Sequence, residues 1–138
     1  MVALSREAEA MGADGVMIIP PYYSVPTEDE LFHHYKTVAD AIGIPIMVYN
    51  NPATSNVDMG AATLARLSRI PNCRYVKEST LEVARVRDIL AACDGRMTVF
   101  AGVLGYESAC PAASSWPAPP SSPLRRHSRS SAFPIASW

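Results

Sequence analysis

Two side chains in this sequence have the type and position to do carbonyl chemistry. Lys77 closes the short apolar run Arg74–Lys77, directly after Tyr75 and Val76. At the end of a buried strand an amine is partly desolvated, which disfavours its charged form. A neutral amine attacks a carbonyl carbon and, with loss of water, gives a Schiff base. The protonated imine withdraws electrons, so a bond beside the former carbonyl can break or form. Tyr49 closes the run Pro45–Tyr49. A phenol within hydrogen-bond reach of an imine can relay protons through carbinolamine formation and loss. Each residue also has a plainer reading. Lys77 can simply end its strand with the ammonium reaching water, or pair with Glu78. Tyr49 can be an aromatic that packs over one end of a sheet.

The other candidates lie at comparable places. Pro21-Tyr22-Tyr23 follow the run Gly15–Pro20, and Asn50-Asn51-Pro52 follow Tyr49, with Pro52 expected to fix a turn that aims the phenol. Gly102, and Gly105 beyond it, follow the run Thr98–Ala101. Metal chemistry has little to draw on. Cys73, Cys93 and Cys110 form no CxxC, and His33, His34 and His127 stand at no zinc-ligand spacing from them. An odd set of three thiols without a framework spacing reads as reduced cysteine in a cytoplasmic protein.

These positions matter because of the elements between them. The four runs are rich in Val, Ile and aromatics and are bounded by Gly, Pro, Asn or Asp. The first two are apolar throughout, as in strands buried on both faces of a parallel sheet. Helical spacing separates the runs. A helix over Ala3–Met11 stops at Gly12. Thr27 and Glu30 form a T-x-x-E capping box ahead of Leu31, Tyr35, Val38 and Ile42, with Gly43 as the stop. Asp58 is placed to cap a helix carrying Leu64, Leu67 and Ile70. Ser79 and Glu82 form a second box ahead of Val83, Val86 and Leu90, stopped by Gly95. The order is strictly alternating α and β, which builds either a doubly wound sheet or a (β/α)8 barrel. No Gly-rich phosphate loop follows any strand, which disfavours the nucleotide-binding versions. In both folds ligands bind at the carboxyl ends of the strands, where Lys77 and Tyr49 fall. A whole barrel takes about 250 residues, so four strands are half of one at most.

Composition adds exclusions. The chain has 138 residues, and its net charge of −1 argues against a nucleic-acid binder. No apolar run approaches the ~20 residues that span a bilayer, and Glu7 and Glu9 stand where a signal peptide would be apolar. The average hides a break. Residues 1–108 hold all 13 acidic residues against nine Lys and Arg, a net charge of −4. Residues 109–138 hold none, but carry three arginines, 6 of the 12 prolines and eight serines. With no apolar period and many lost amide donors, this tail is expected to be disordered. A Pro-rich docking tail or an Arg-rich patch is the functional alternative.

Four segments, GADGVMIIPPYYSVPT, PIMVYNNPATSNVDM, CRYVKES and FAGVLGYES, resemble in order the dihydrodipicolinate synthase/N-acetylneuraminate lyase family. The resemblance runs from about Ala3 to Ser108. It implies a (β/α)8 barrel of which about four βα units are present, no metal or organic cofactor, and a homo-oligomer acting on pyruvate or a related 2-oxo acid. It also implies roles. Lys77 matches the Schiff-base lysine, and Tyr49 the proton-shuttling tyrosine. Tyr23 matches the tyrosine inserted into the adjoining subunit's site, with Tyr22 its packing neighbour. Gly102 matches a glycine whose backbone lines the substrate pocket. Thr54 stands where the synthase proper has an arginine for a substrate carboxylate. The missing guanidinium removes a bidentate contact and points toward sugar-acid aldolases, lyases or dehydratases. The family's first three strands, with a Thr-Thr pair that contacts substrate, and its final strand have no counterpart. A chain of this extent, by itself, is expected to be weakly active or inactive, or to work only with a partner half-barrel. The tail replaces the expected apolar helix and Gly-rich strand, which suggests an altered reading frame after about Ala109.

Overall fold

Thr27 opens the helix that organises the sheet's covered face. In the computed structural model, which describes residues 1–102, its hydroxyl accepts the Glu30 N–H at 3.3 Å, and the Glu30 carboxylate accepts the Thr27 N–H at 2.7 Å. The capping box is formed as the spacing predicts. Helix α2 (Glu28–Ala39) then runs with Leu31, Tyr35, Val38 and Ala39 buried along one side. The other elements are α1 (Val2–Ala10), α3 (Pro52–Ser55), α4 (Ala61–Leu67) and α5 (Val83–Cys93). The strands are β1 (Val16–Ile18), β2 (Ile46–Asn50), β3 (Cys73–Glu78) and β4 (Thr98–Ala101).

All strand pairs are parallel, in the spatial order β1-β2-β3-β4. Neighbours in sequence are neighbours in space, with no reversal of order among the four. A doubly wound sheet needs such a reversal and a barrel does not. The tail at 109–138, the boundary after 108 and the altered frame lie outside the described residues. Among the described residues, no helix is long and apolar enough to cross a membrane.

Alternate strand residues face opposite ways. Val16, Ile18, Ile46, Val48, Val76 and Val99 join the helices in one core with Leu31, Tyr35, Leu64, Leu67, Val86 and Ile89. The Tyr35 hydroxyl, wholly buried there, donates to the Ile18 carbonyl at 3.1 Å. Burial pushes this phenol's pKa upward, and it pushes the Cys73 thiol up to about 12. Cys73 and Cys93 are free, buried thiols. The residues between, Met17, Met47, Tyr49, Tyr75, Lys77 and Phe100, belong to the opposite face.

Four helix boundaries differ from the expected ones, one of them the end of α4, which stops at Leu67 and leaves Ile70 beyond it. Gly43 is not the stop of α2. That helix ends at Asp40 in right-handed geometry, and Gly43 lies further on, donating its N–H to Glu9 of α1 at 2.8 Å. Asp58 does not cap α4, which begins after Gly60. Its carboxylate is taken instead by both terminal nitrogens of Arg85 on α5, the Nη2–Oδ2 contact being 2.9 Å. The Ser79–Glu82 box is not formed either. Leu81 is left-handed at φ +67°, so the helical path begins only at Val83, with Glu82 as its N-cap. The stop of α5 falls where expected, with Asp94 and Gly95 both left-handed.

Candidate active site

The register of the sheet brings the two candidate residues together. Tyr49 pairs with Lys77 across β2 and β3, and Lys77 with Phe100 across β3 and β4. Paired residues of a parallel sheet project from the same face, so the three form one row near the carboxyl ends of their strands. The Lys77 Nζ lies 4.5 Å from the centroid of the Tyr49 ring. An ammonium over a phenol face is attracted by the ring's quadrupole. Both residues are half-buried. In the row beneath, Tyr75 pairs with Met47 and Thr98, and its ring meets Phe100 edge to face at 5.9 Å.

Tyr49 has a second contact that sequence reasoning missed. Asn51 donates a side-chain N–H to the Tyr49 hydroxyl oxygen at 2.9 Å. The expected turn at Pro52 is a single helical turn, α3, with the proline in its first turn. The Asn51 carbonyl accepts from the backbone N–H groups of Thr54 and Ser55 and from the hydroxyls of both. Any Asn before a proline is a turn signal, but nothing in the spacing announces that its side chain faces back to the tyrosine.

The opposite face carries a polar pair that the sequence also did not announce. Asn50 and Glu78, paired across β2 and β3, are both wholly buried. The Asn50 amide donates to Glu78 Oε2 at 2.9 Å, and its carbonyl oxygen accepts the Met59 N–H at 3.0 Å. Glu78 Oε1 accepts the Thr80 N–H at 2.9 Å. Glu78 is therefore committed behind the sheet, on the face away from Lys77. The alternative of a Lys77–Glu78 pair is not what the fold builds.

The remaining candidates differ in how firmly they are held. Gly102 packs tightly. Its N–H donates to the Glu78 carbonyl at 2.7 Å, and an added Cβ would fall 1.8 Å from Ser79 Oγ. Thr54 is exposed on α3, its hydroxyl donating to the Asn51 carbonyl at 3.2 Å. Tyr23 is fully exposed in the segment between β1 and α2. No structural contact joins Tyr23 or Thr54 to Lys77 among the described residues. Nor is there any group of three His, Cys, Asp or Glu among them that would hold a metal ion.

The sequence matches the dihydrodipicolinate synthetase family over residues 1–116. It is 45% identical over 101 residues to a 4-hydroxy-tetrahydrodipicolinate synthase from Acidiphilium cryptum, covering 73% of this chain and 35% of the relative. It is 51% identical over 85 residues to the enzyme of that name from Nitrobacter hamburgensis, covering 62% and 29%. The chain thus spans about a third of the length of these curated relatives. Among solved structures, it superposes on a dihydrodipicolinate synthase from Acinetobacter baumannii complexed with pyruvate. The TM-score is 0.69 at 36% identity, over 72% of this chain and 34% of that one. A prophage protein of the dihydrodipicolinic acid synthase family from E. coli K12, also in complex with pyruvate, superposes equally well, with TM-score 0.69 at 32% identity over 72% and 35%.

Proposed function

Because this chain belongs to the dihydrodipicolinate synthetase family, we propose that it forms a Schiff-base site for pyruvate or a related 2-oxo acid, with Lys77 as the nucleophile. The observation that carries this reading is the pairing of Lys77 with Tyr49 in one row, Nζ 4.5 Å from the ring, at the carboxyl ends of adjacent strands. In the proposed reaction the neutral amine adds to the ketone carbon and the carbonyl oxygen takes up a proton. The carbinolamine then loses water, and Tyr49 supplies and recovers the protons. The resulting iminium takes up the electron pair of a bond broken at the neighbouring carbon and becomes an enamine; in the reverse sense the enamine donates that pair to the bond that forms. The pyruvate complexes of two superposed relatives support this substrate class.

Within the lyases, the short Thr54 side chain favours a sugar-acid aldolase or dehydratase over the dipicolinate-forming synthase. A single hydroxyl cannot give a carboxylate the two parallel N–H bonds of a guanidinium. Tyr23, fully exposed beyond β1, is proposed to enter the site of a neighbouring subunit in a homo-oligomer. The Gly102 N–H is taken by the Glu78 carbonyl, so its own backbone carbonyl is the group proposed to line the pocket. Residues 1–108 are taken as the catalytic unit and 109–138 as an appended tail.

Reduction with borohydride in the presence of pyruvate, followed by peptide mass spectrometry, tests the proposal. The expected result is a pyruvyl adduct on Lys77 that is absent in Lys77→Ala. Folded protein that yields no adduct would refute it, and would favour the reading of an inactive partial barrel.

A further inference from the structure

We propose that Asn51 is a positioning residue for Tyr49, holding its phenol oxygen so that the hydroxyl proton is delivered away from Asn51. This inference rests on the Schiff-base reading above. Asparagine at a helix N-cap ordinarily turns its side chain onto the first N–H groups of the helix. Asn51 occupies that position before α3, yet its side chain makes no cap hydrogen bond. Its amide goes instead to the Tyr49 oxygen at 2.9 Å. Its backbone carbonyl meanwhile accepts from Ser55 N–H at 3.0 Å, Thr54 N–H at 3.1 Å and the Ser55 hydroxyl at 2.9 Å.

These bonds, with the adjacent proline ring, leave Asn51 little backbone freedom, so the amide is aimed before any substrate arrives. A donor on the phenol oxygen occupies one of its lone pairs. The O–H can then donate only in another direction, and the negative charge that develops when its proton leaves is met by a fixed N–H. Tyr49 is held from two sides. Asn51 fixes its oxygen, and Lys77 lies over its ring. Proton relay by a phenol is therefore built into a three-residue arrangement in which Asn51 touches no substrate.

The test uses the full chain, pyruvate as the probe and the rate of borohydride-trapped adduct as the readout. Asn51→Leu is expected to slow trapping about 10-fold, a part of the ~100-fold contribution of a positioned acid–base group. In a Tyr49→Phe background the same change is expected to have no further effect, because Asn51 acts through the hydroxyl. Asn51→Asp, which keeps the shape but accepts the phenol proton, is expected to slow trapping at least as much. A second readout needs no turnover. The Asn51 side-chain amide signals in a 15N spectrum, assigned by their loss in Asn51→Leu, are expected to move in Tyr49→Phe.

Equal slowing by Asn51→Leu in both backgrounds would overturn the inference, as would amide signals indifferent to Tyr49→Phe. Full activity in Asn51→Asp would overturn it too. Absence of any wild-type adduct overturns the Schiff-base reading itself. A wild-type adduct with no coupling between the two positions overturns only the role of Asn51.

Discussion

Asn50 and Glu78 meet behind the candidate site, where an amide N–H reaches a carboxylate oxygen across 2.9 Å in a fully buried space. Each is the next residue along its strand from a residue of the candidate site, Asn50 from Tyr49 and Glu78 from Lys77. The pair ties β2 to β3 at the level of the row that carries them. The orientation of the amide follows from its surroundings. The Met59 N–H needs an acceptor and takes Asn50 Oδ1, which turns the donating end toward Glu78.

Glu78→Gln tests this pair. One end of the new amide would place an N–H against either the Asn50 amide or the Thr80 N–H, both donors. A buried unsatisfied group costs about 1–3 kcal/mol, so the urea midpoint is expected to fall accordingly. Asn50→Asp removes the amide donor and sets a second carboxylate against Glu78, so its urea midpoint is also expected to fall. Equal stability of wild type and Glu78→Gln would count against the pair as a tie between the strands.

Gly102 is required by packing rather than by backbone conformation. The added Cβ of Gly102→Ala would meet Ser79 Oγ at 1.8 Å and the Glu78 carbonyl oxygen at 2.7 Å. Overpacking of this kind costs about 1–3 kcal/mol. Removing the serine side chain in Ser79→Gly is expected to restore only part of the loss, since the Glu78 carbonyl remains. Chemical unfolding of Gly102→Ala, Ser79→Gly and the double variant checks this, and full rescue would contradict it.

The buried thiol and phenol predict alkaline instability. The folded pKa of Cys73 is pushed up to about 12, above its ordinary 9.0, and that of Tyr35 also rises through burial. In each case the fold holds a proton that the unfolded chain releases, so stability falls with rising pH in this window. The decline should begin near pH 9 and amount to at most about 1.4 kcal/mol per pH unit for each group. Cys73→Ala is expected to lessen the decline between pH 9 and 10, with Cys93, whose thiol pKa burial also raises, retaining part of it. An unchanged slope in denaturant titrations of that variant would sink the explanation.

Thr27 and Asp58 look alike as helix caps in the sequence but act differently. Thr27→Ala is expected to cost about 1 kcal/mol, the usual worth of an N-cap, independent of salt. Asp58→Ala is expected to cost less than that, to weaken further in salt, and to couple with Arg85→Ala in a double-mutant cycle. Additive effects of the Asp58 and Arg85 changes would show that their ion pair contributes nothing.

The sequence by itself determined the order and type of the main elements, and those ends that rest on chemistry within a few residues. Apolar runs bounded by breakers became parallel strands, Thr27 and Glu30 closed their box, and α5 stopped at Gly95. The motifs around Tyr49 and Lys77 placed the chain in its family and put both residues at strand ends. Contacts between residues far apart in the chain were decided only in three dimensions. The register of β2 against β3 set Lys77 over the Tyr49 ring. The strand alternation that turned Tyr49 and Lys77 to one face turned Asn50 and Glu78 to the other, where burial required each to find the other. Asp58 left its expected cap because Arg85 arrived from α5, 27 residues away. Capping, turn and periodic signals act over a few residues and are legible in one dimension, whereas a buried polar group's partner depends on which strand lies beside it.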